Sequence, residues 1–339
     1  MRWSRTLTVA DMHCEGTPAR IVVGGVLPPP GDTVQQQMVH LRDHDDWLRK
    51  FLLNEPRGAG ISSANLVVPP KHPEAQAGYI IMETVEYPPM SGSNTVSTAA
   101  ALIELGLIPM AATETRFTLE SPAGLIRIHA RRDDTGALEI EFTNQPAFVL
   151  ALDHPLEVEG LGTIKVDVSY GGMFFAIADA PTLGFKVTPD EARDIVATGM
   201  KITRAAIEQI DARHPTEPEF HGVSISQIAC PIMQSPDGGK LSRNACVVQP
   251  GRIDRSPTGT GTCARLAVMR ARGQIAIGER FDNRSIIDTR FYGRVTHETT
   301  VGPLKAVVPT IAGRAWLSGI IQYGYDPSDP FPEGFRLDD

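Results

Sequence analysis

Short runs in which apolar and polar residues alternate dominate the chain, and a few longer stretches at helical spacing lie between them. These runs predict strands at Arg20–Val23, Tyr79–Glu83, Ile126–Ala130, Leu138–Phe142 and Val166–Val168, most of them bounded by Gly, Pro, Asp or Asn. Helices are expected at Gln35–Leu53, Thr95–Leu105, Pro189–Ile210 and Thr262–Arg272. Strands arrive in groups between isolated helices, so the pattern fits an α+β architecture with a mixed or antiparallel sheet better than a doubly wound one. At 339 residues the chain is long enough for two domains.

Two segments repeat one another. Met90-Ser91-Gly92-Ser93-Asn94-Thr95 leads into an apolar helix over Val96–Leu105 that stops at Gly106; Pro257-Thr258-Gly259-Thr260-Gly261-Thr262 leads into Cys263–Arg272 and stops at Gly273. In both, the closing Gly lies 15 residues beyond the opening hydroxyl residue, a matched spacing that implies a duplicated domain. Each segment sets Gly and small polar residues where a helix begins. Backbone N–H groups there lack intrahelical partners, and the helix dipole leaves partial positive charge. Such a start is ready to bind a carboxylate or phosphate. Taken singly, either segment reads first as an N-cap ahead of a core helix, since Ser and Thr are favoured caps. Two copies in register favour a single anion held by both helix starts.

Composition narrows the function classes. The hydrophobic and charged fractions, 42% and 21%, are ordinary for a soluble globular protein. A formal net charge of −8 without a clustered basic surface argues against nucleic acid as a partner. No apolar segment approaches the roughly eighteen residues of a membrane span, and no signal-peptide-length apolar run follows the basic N-terminus, so a cytoplasmic protein without membrane association is expected. Cys14, Cys230, Cys246 and Cys263 lack C-x-x-C spacing and nearby paired histidines, which predicts buried free thiols and neither a zinc site nor a disulfide framework.

Asp254-Arg255-Ser256-Pro257-Thr258-Gly259-Thr260-Gly261-Thr262-Cys263-Ala264-Arg265-Leu266-Ala267 resembles the D-R-S-P-C-G-T-G-T-x-A-R-L-A signature of the proline racemase superfamily, with Thr258 replacing the cysteine. Met90–Thr95 resembles that family's M-C-G-H-G-T segment, with Ser91 in place of cysteine and Ser93 in place of histidine. Asp11–Val22 resembles its opening segment, and Ala315-Trp316 through Asp329-Pro330-Phe331 with Gly334-Phe335 its closing one. The resemblance implies two pseudo-symmetric domains of the diaminopimelate epimerase type, each a curved sheet around a central helix, with the active site in the cleft between them. The domains are expected at 1–170, completed by 318–339, and at 171–317. The resemblance further implies a cofactor-independent enzyme acting on proline or hydroxyproline, with one residue on each face of the α-carbon. Those residues are Ser91 and Thr258; substrate contacts carry over to Gly92, Ser93, Gly259 and Thr260, and Asp254 is assigned to the substrate's secondary ammonium.

The family's usual pair is two cysteines, whose thiols are acidic enough to exchange protons at a helix start. Serine and threonine hydroxyls are far weaker acids. Threonine at the second position goes, in this family, with dehydration of trans-3-hydroxy-L-proline. In that substrate the α-hydrogen and the 3-hydroxyl share a ring face, so one residue serves a syn elimination. The expectation is a lyase of hydroxyproline degradation in which Ser91 moves the proton, Thr258 shapes the opposite face, and the product tautomerises to Δ1-pyrroline-2-carboxylate. The alternatives are a 4-hydroxyproline 2-epimerase, a proline racemase, or a catalytically silent imino-acid-binding homologue. His13 is a candidate activator of Ser91, although a structural histidine is the first reading. His214 and His221 read as loop histidines. Cys263 falls about 140° around the helix from Thr258 and is expected to pack, whereas Cys14 has no deducible place. A homodimer is left open.

Overall fold

The computed structural model describes residues 3–337. These divide into two units, one formed by the described residues up to Phe142 together with those from Arg314, the other by Thr143–Gly313. The first stretch carries β1 (Arg5–Cys14), β2 (Thr17–Gly24), α1 (Val34–His44), α2 (Trp47–Leu53), β3 (Ser63–Val68) and β4 (Ala77–Met82). It continues with α3 (Gly92–Glu104), β5 (Glu114–Ser121), β6 (Gly124–Arg132) and β7 (Leu138–Thr143). Then come β8 (Ala147–Val158), β9 (Gly162–Tyr170), β10 (Phe174–Asp179), α4 (Ala192–Gln209), β11 (Val223–Ala229), β12 (Met233–Gln234) and β13 (Lys240–Val248). The last elements are β14 (Arg252–Ile253), α5 (Gly259–Ala271), β15 (Phe281–Arg284), β16 (Arg290–Val301) and β17 (Leu304–Tyr325).

The strand pairings show the duplication directly. In the second unit β9 pairs antiparallel with β10, β10 parallel with β11, β11 antiparallel with β13, β13 parallel with β15, and β15 antiparallel with β16. β16 then pairs with β17, β17 with β8, and β8 with β9, closing a ring of eight strands around α5. In the first unit β1, β2, β3, β4, β5 and β6 follow the same alternation: antiparallel, parallel, antiparallel, parallel, antiparallel. There β17 pairs with both β1 and β7, and α3 packs against β1, β2 and β3. This is the mixed α/β fold expected, with a helix at the centre of each unit. Residues 92–103 of α3 are all buried, as a helix enclosed by a sheet requires.

The boundary expected at residue 170 falls at the end of β9, but packing divides the chain at Phe142. The reason is an exchange of strands. β8 follows β7 in the chain yet pairs with β9 and β17 in the second unit, and the last part of β17 returns to pair with β1 in the first.

The helix expected over Gln35–Leu53 is two helices, because Asp45 leaves helical geometry at φ −145° and ψ 56°. The Asp46 side chain instead accepts hydrogen bonds from Arg49 at 2.7 Å and Tyr87 at 2.6 Å. Pro189–Glu191 form a 3₁₀ turn before α4, closed by a capping box between Thr188 and Glu191. Among the described residues no helix is long and apolar enough to cross a membrane.

Gly199 lets α4 lie directly on the sheet. A Cβ there would stand 2.5 Å from Val247 Cγ2 and 2.8 Å from Ser226 Oγ, the hydroxyl that donates to the Gly199 carbonyl at 2.9 Å. Gly199→Ala is therefore expected to destabilise the protein by about 1–3 kcal/mol through overpacking, read as a lower urea midpoint at unchanged m-value.

Candidate active site

Both repeated segments fold as anticipated, but their opening hydroxyls do not cap their helices. Ser91 occupies the N-cap of α3 and Thr258 that of α5, and in neither does the side chain accept from the first-turn backbone. The first helical bonds are Thr95 N–H to the Ser91 carbonyl (2.9 Å) and Thr262 N–H to the Thr258 carbonyl (2.8 Å). The N–H groups of Gly92, Ser93 and Asn94, and of Gly259, Thr260 and Gly261, thus meet no acceptor among the described residues, although all six residues are buried. Buried N–H groups rarely stay unpaired in folded proteins. Such helix starts suit an acceptor from outside the chain.

The two starts share a frame. Thr95 Oγ1 donates to the Ser91 carbonyl at 2.7 Å, and Thr262 Oγ1 to the Thr258 carbonyl at 2.8 Å. A polar group from the surrounding sheet holds each of these threonines: Tyr79 Oη lies 2.6 Å from Thr95 Oγ1, and Asn283 Nδ2 donates to Thr262 Oγ1 at 2.8 Å. Burial pushes the Tyr79 hydroxyl well above the ordinary phenol range, so it stays protonated and structural.

The hydroxyls themselves differ. Ser91, in extended backbone at φ −146°, has its Oγ accept from Asn94 Nδ2 at 2.9 Å. Asn94, one helical turn on, is fixed through its carbonyl oxygen by Ser63 Oγ at 2.8 Å and Asn65 Nδ2 at 2.7 Å, both on β3. Thr258 instead donates from Oγ1 to Asp254 Oδ2 at 2.7 Å. The same carboxylate accepts from Ser256 N–H at 3.0 Å and Ser256 Oγ at 3.1 Å. Thr258 sits at φ 64°, outside the comfortable range of a β-branched residue. Thus Ser91, Gly92 and Ser93 are assembled on α3 in the first unit, and Asp254, Thr258, Gly259 and Thr260 at the start of α5 in the second.

The other candidates make contacts of their own. His13, on β1, stacks on Trp316 with ring centroids 5.0 Å apart, and its buried Nδ1 has no hydrogen-bond partner among the described residues. His214 Nδ1 accepts from Glu217 N–H at 3.1 Å, and its ring stands edge-on to Tyr170; burial lowers its pKa and keeps it neutral. His221 bridges to Arg213 in an exposed turn. Cys263 packs inside α5 and accepts from Asn144 Nδ2 at 3.3 Å.

Sequence reasoning gave no role to Cys246, a buried residue of β13 whose thiol donates to Asn244 Oδ1 at 3.5 Å. A Cβ on Gly261 would come 3.2 Å from its sulfur. It also gave no role to Asn94, although a position three residues after Ser91 shares its helix face.

Burial raises both thiols near the start of α5. The Cys263 thiol is pushed up to about 12, and the Cys246 thiol is raised further. Among the described residues no three His, Cys, Asp or Glu side chains group as metal ligands.

The fold class is shared with distant structures. A Bacillus anthracis phenazine biosynthesis protein of the PhzF family superposes with a TM-score of 0.56 at 13% identity, covering 94% of this chain and 99% of that one. The proline racemase family model matches residues 9–336, and the chain belongs to that family. It is similar to a hydroxyproline epimerase from Agrobacterium vitis with bound trans-4-hydroxy-L-proline, at 39% identity and a TM-score of 0.92, covering 100% of this chain and 98% of that one. A probable proline racemase from Agrobacterium radiobacter with bound carbonate is 37% identical, with a TM-score of 0.91 and coverage of 98% and 96%.

The raised thiols give a direct expectation. At pH 8 a thiol with a pKa near 12 is thiolate in only about one molecule in 10⁴. Iodoacetamide should leave Cys246 and Cys263 unmodified in the native protein and reach them only on unfolding, as read by peptide mass spectrometry.

Proposed function

We propose that this chain is a cofactor-independent trans-3-hydroxy-L-proline dehydratase. The observation that carries the reading is the state of Ser91. Its oxygen receives the Asn94 amide hydrogen, its own proton is left to give, and the Cys14, Cys246 and Cys263 thiols are all buried. A hydroxyl so placed serves a syn elimination as a two-way proton carrier. Ser91 Oγ takes the α-proton while its own proton passes to the 3-hydroxyl. The Cα–H and C3–O bonds break, the C2=C3 bond forms, and water leaves. Serine ends as it began, so no separate base is consumed, and the enamine tautomerises to Δ1-pyrroline-2-carboxylate. The Asn94 N–H stabilises the partial negative charge on Oγ during transfer. The unpaired N–H groups at the start of α3, beside Ser91, suit the substrate carboxylate and the charge it gains as the α-proton leaves.

A second reading, epimerisation of 4-hydroxyproline, is favoured by one finding, the 39% identity to an epimerase holding trans-4-hydroxy-L-proline. Against it stands the chemistry of two alcohols, which exchange α-protons far less readily than two thiols.

Incubation with trans-3-hydroxy-L-proline, trans-4-hydroxy-L-proline and L-proline separates the readings. The expected outcome is pyrroline-carboxylate from the first alone. Rapid change of optical rotation with trans-4-hydroxy-L-proline and no dehydration of the 3-isomer would overturn the proposal. Ser91→Ala should lower dehydration by roughly 10²–10⁴-fold, the usual worth of a proton-transfer residue. Asn94→Ala should lower kcat with little change in KM, since the bond it removes strengthens only as charge develops on Ser91.

A further inference from the structure

We infer that Asp254 acts on the substrate through Thr258: it holds the Thr258 hydroxyl proton and turns that oxygen into a fixed acceptor for the substrate's ammonium. The inference rests on the reading of the site as an imino-acid site, and it gives Asp254 a positioning role where family resemblance alone implies a direct contact.

A threonine hydroxyl has one proton and two acceptor lone pairs. At Thr258 the proton is committed to a carboxylate at 2.7 Å, a charge-assisted bond stronger than any neutral acceptor in a ligand would offer. The carboxylate is itself held, by the Ser256 N–H and hydroxyl on its other oxygen, and Ser256 Oγ also accepts the Thr258 N–H at 3.1 Å. Asp254 and Ser256 therefore lock one orientation of the Thr258 hydroxyl. The nearby Cys246 thiol donates to Asn244 Oδ1 at 3.5 Å, and no described residue donates to the Thr258 hydroxyl oxygen. Its lone pairs are left for a donor, and a pyrrolidine-ring ammonium supplies two N–H donors. The positive φ of Thr258 is the conformation in which this hydroxyl reaches Asp254 while its carbonyl starts α5. An unfavourable backbone kept at such a position is the mark of a geometry fixed by its surroundings.

A double-mutant cycle tests the inference. Binding of L-proline, which has no 3-hydroxyl to lose, is measured by calorimetry for the parent protein, Asp254→Asn, Thr258→Val and the double variant. If Asp254 works through Thr258, Asp254→Asn should weaken binding about tenfold in the parent background and by less than about twofold once Thr258 is valine. Thr258→Ser, which keeps the hydroxyl, should restore the full effect. Equal losses in the threonine and valine backgrounds would show that Asp254 meets the substrate itself and would overturn the inference. Should Asp254→Asn fold poorly, Ser256→Ala, which removes one donor that holds the carboxylate, should weaken binding in the threonine background only. Because the readout is binding, it stands apart from whether the bound imino acid is dehydrated or epimerised, which the substrate comparison decides.

Discussion

Two buried helix starts without caps are the constraint around which this molecule is organised. A capping hydroxyl typically stabilises a helix by about 1 kcal/mol, and both α3 and α5 forgo it although Ser and Thr stand in the capping position. A buried N–H left unpaired costs about 1–3 kcal/mol, and each start has three. The surrounding sheet offsets that cost by enclosing each helix almost completely. The Thr95 and Thr262 side chains, each anchored to a strand, clamp the first carbonyl so that the start does not fray. Violations of local preference concentrated at two matched points are what a binding site produces.

The enclosure depends on strand exchange. If β8 stayed with β7, the ring around α5 would lack the strand joining β17 to β9. β17 is long because it serves twice, pairing with β16 and β8 early and with β1 late. The exchange explains why the duplication was legible but the packing boundary was not. The repeat is written in local spacing, in the fifteen residues from each hydroxyl to its closing Gly. Membership of β8 is decided by which edge it pairs with, and alternating apolar residues specify a face without specifying a neighbour.

The site divides in the same way. Ser91, Thr258 and the Gly-rich starts could be found because a helix start is contiguous in sequence, and the family signature covers Asp254 through Ala267. The residues that set the hydroxyl chemistry come from strands far away. Ser63 and Asn65 fix Asn94, and Asn244 and Asn283 both reach the Pro257 carbonyl at 3.3 Å. Nothing in their local sequence separates them from ordinary strand residues. His13 shows the converse. It lies in a recognisable segment, yet its ring is spent on stacking against Trp316, a contact that no local pattern announces.

The two copies have kept their frame and diverged in one proton. Both hydroxyls lie at buried helix starts, both carbonyls are bound by a threonine four residues on, and both helices present the same unpaired N–H groups. Ser91 receives a hydrogen bond from an amide; Thr258 gives one to a carboxylate. In a pair of thiols this difference would matter little, since either thiolate exchanges its proton with solvent readily at neutral pH. In a pair of alcohols it is decisive, because neither ionises at neutral pH and only the proton already in place can move. On the proposed reading, serine and threonine in place of two cysteines transfer control of the chemistry from acidity to hydrogen-bond direction, and that direction is set by Asn94 at one start and Asp254 at the other.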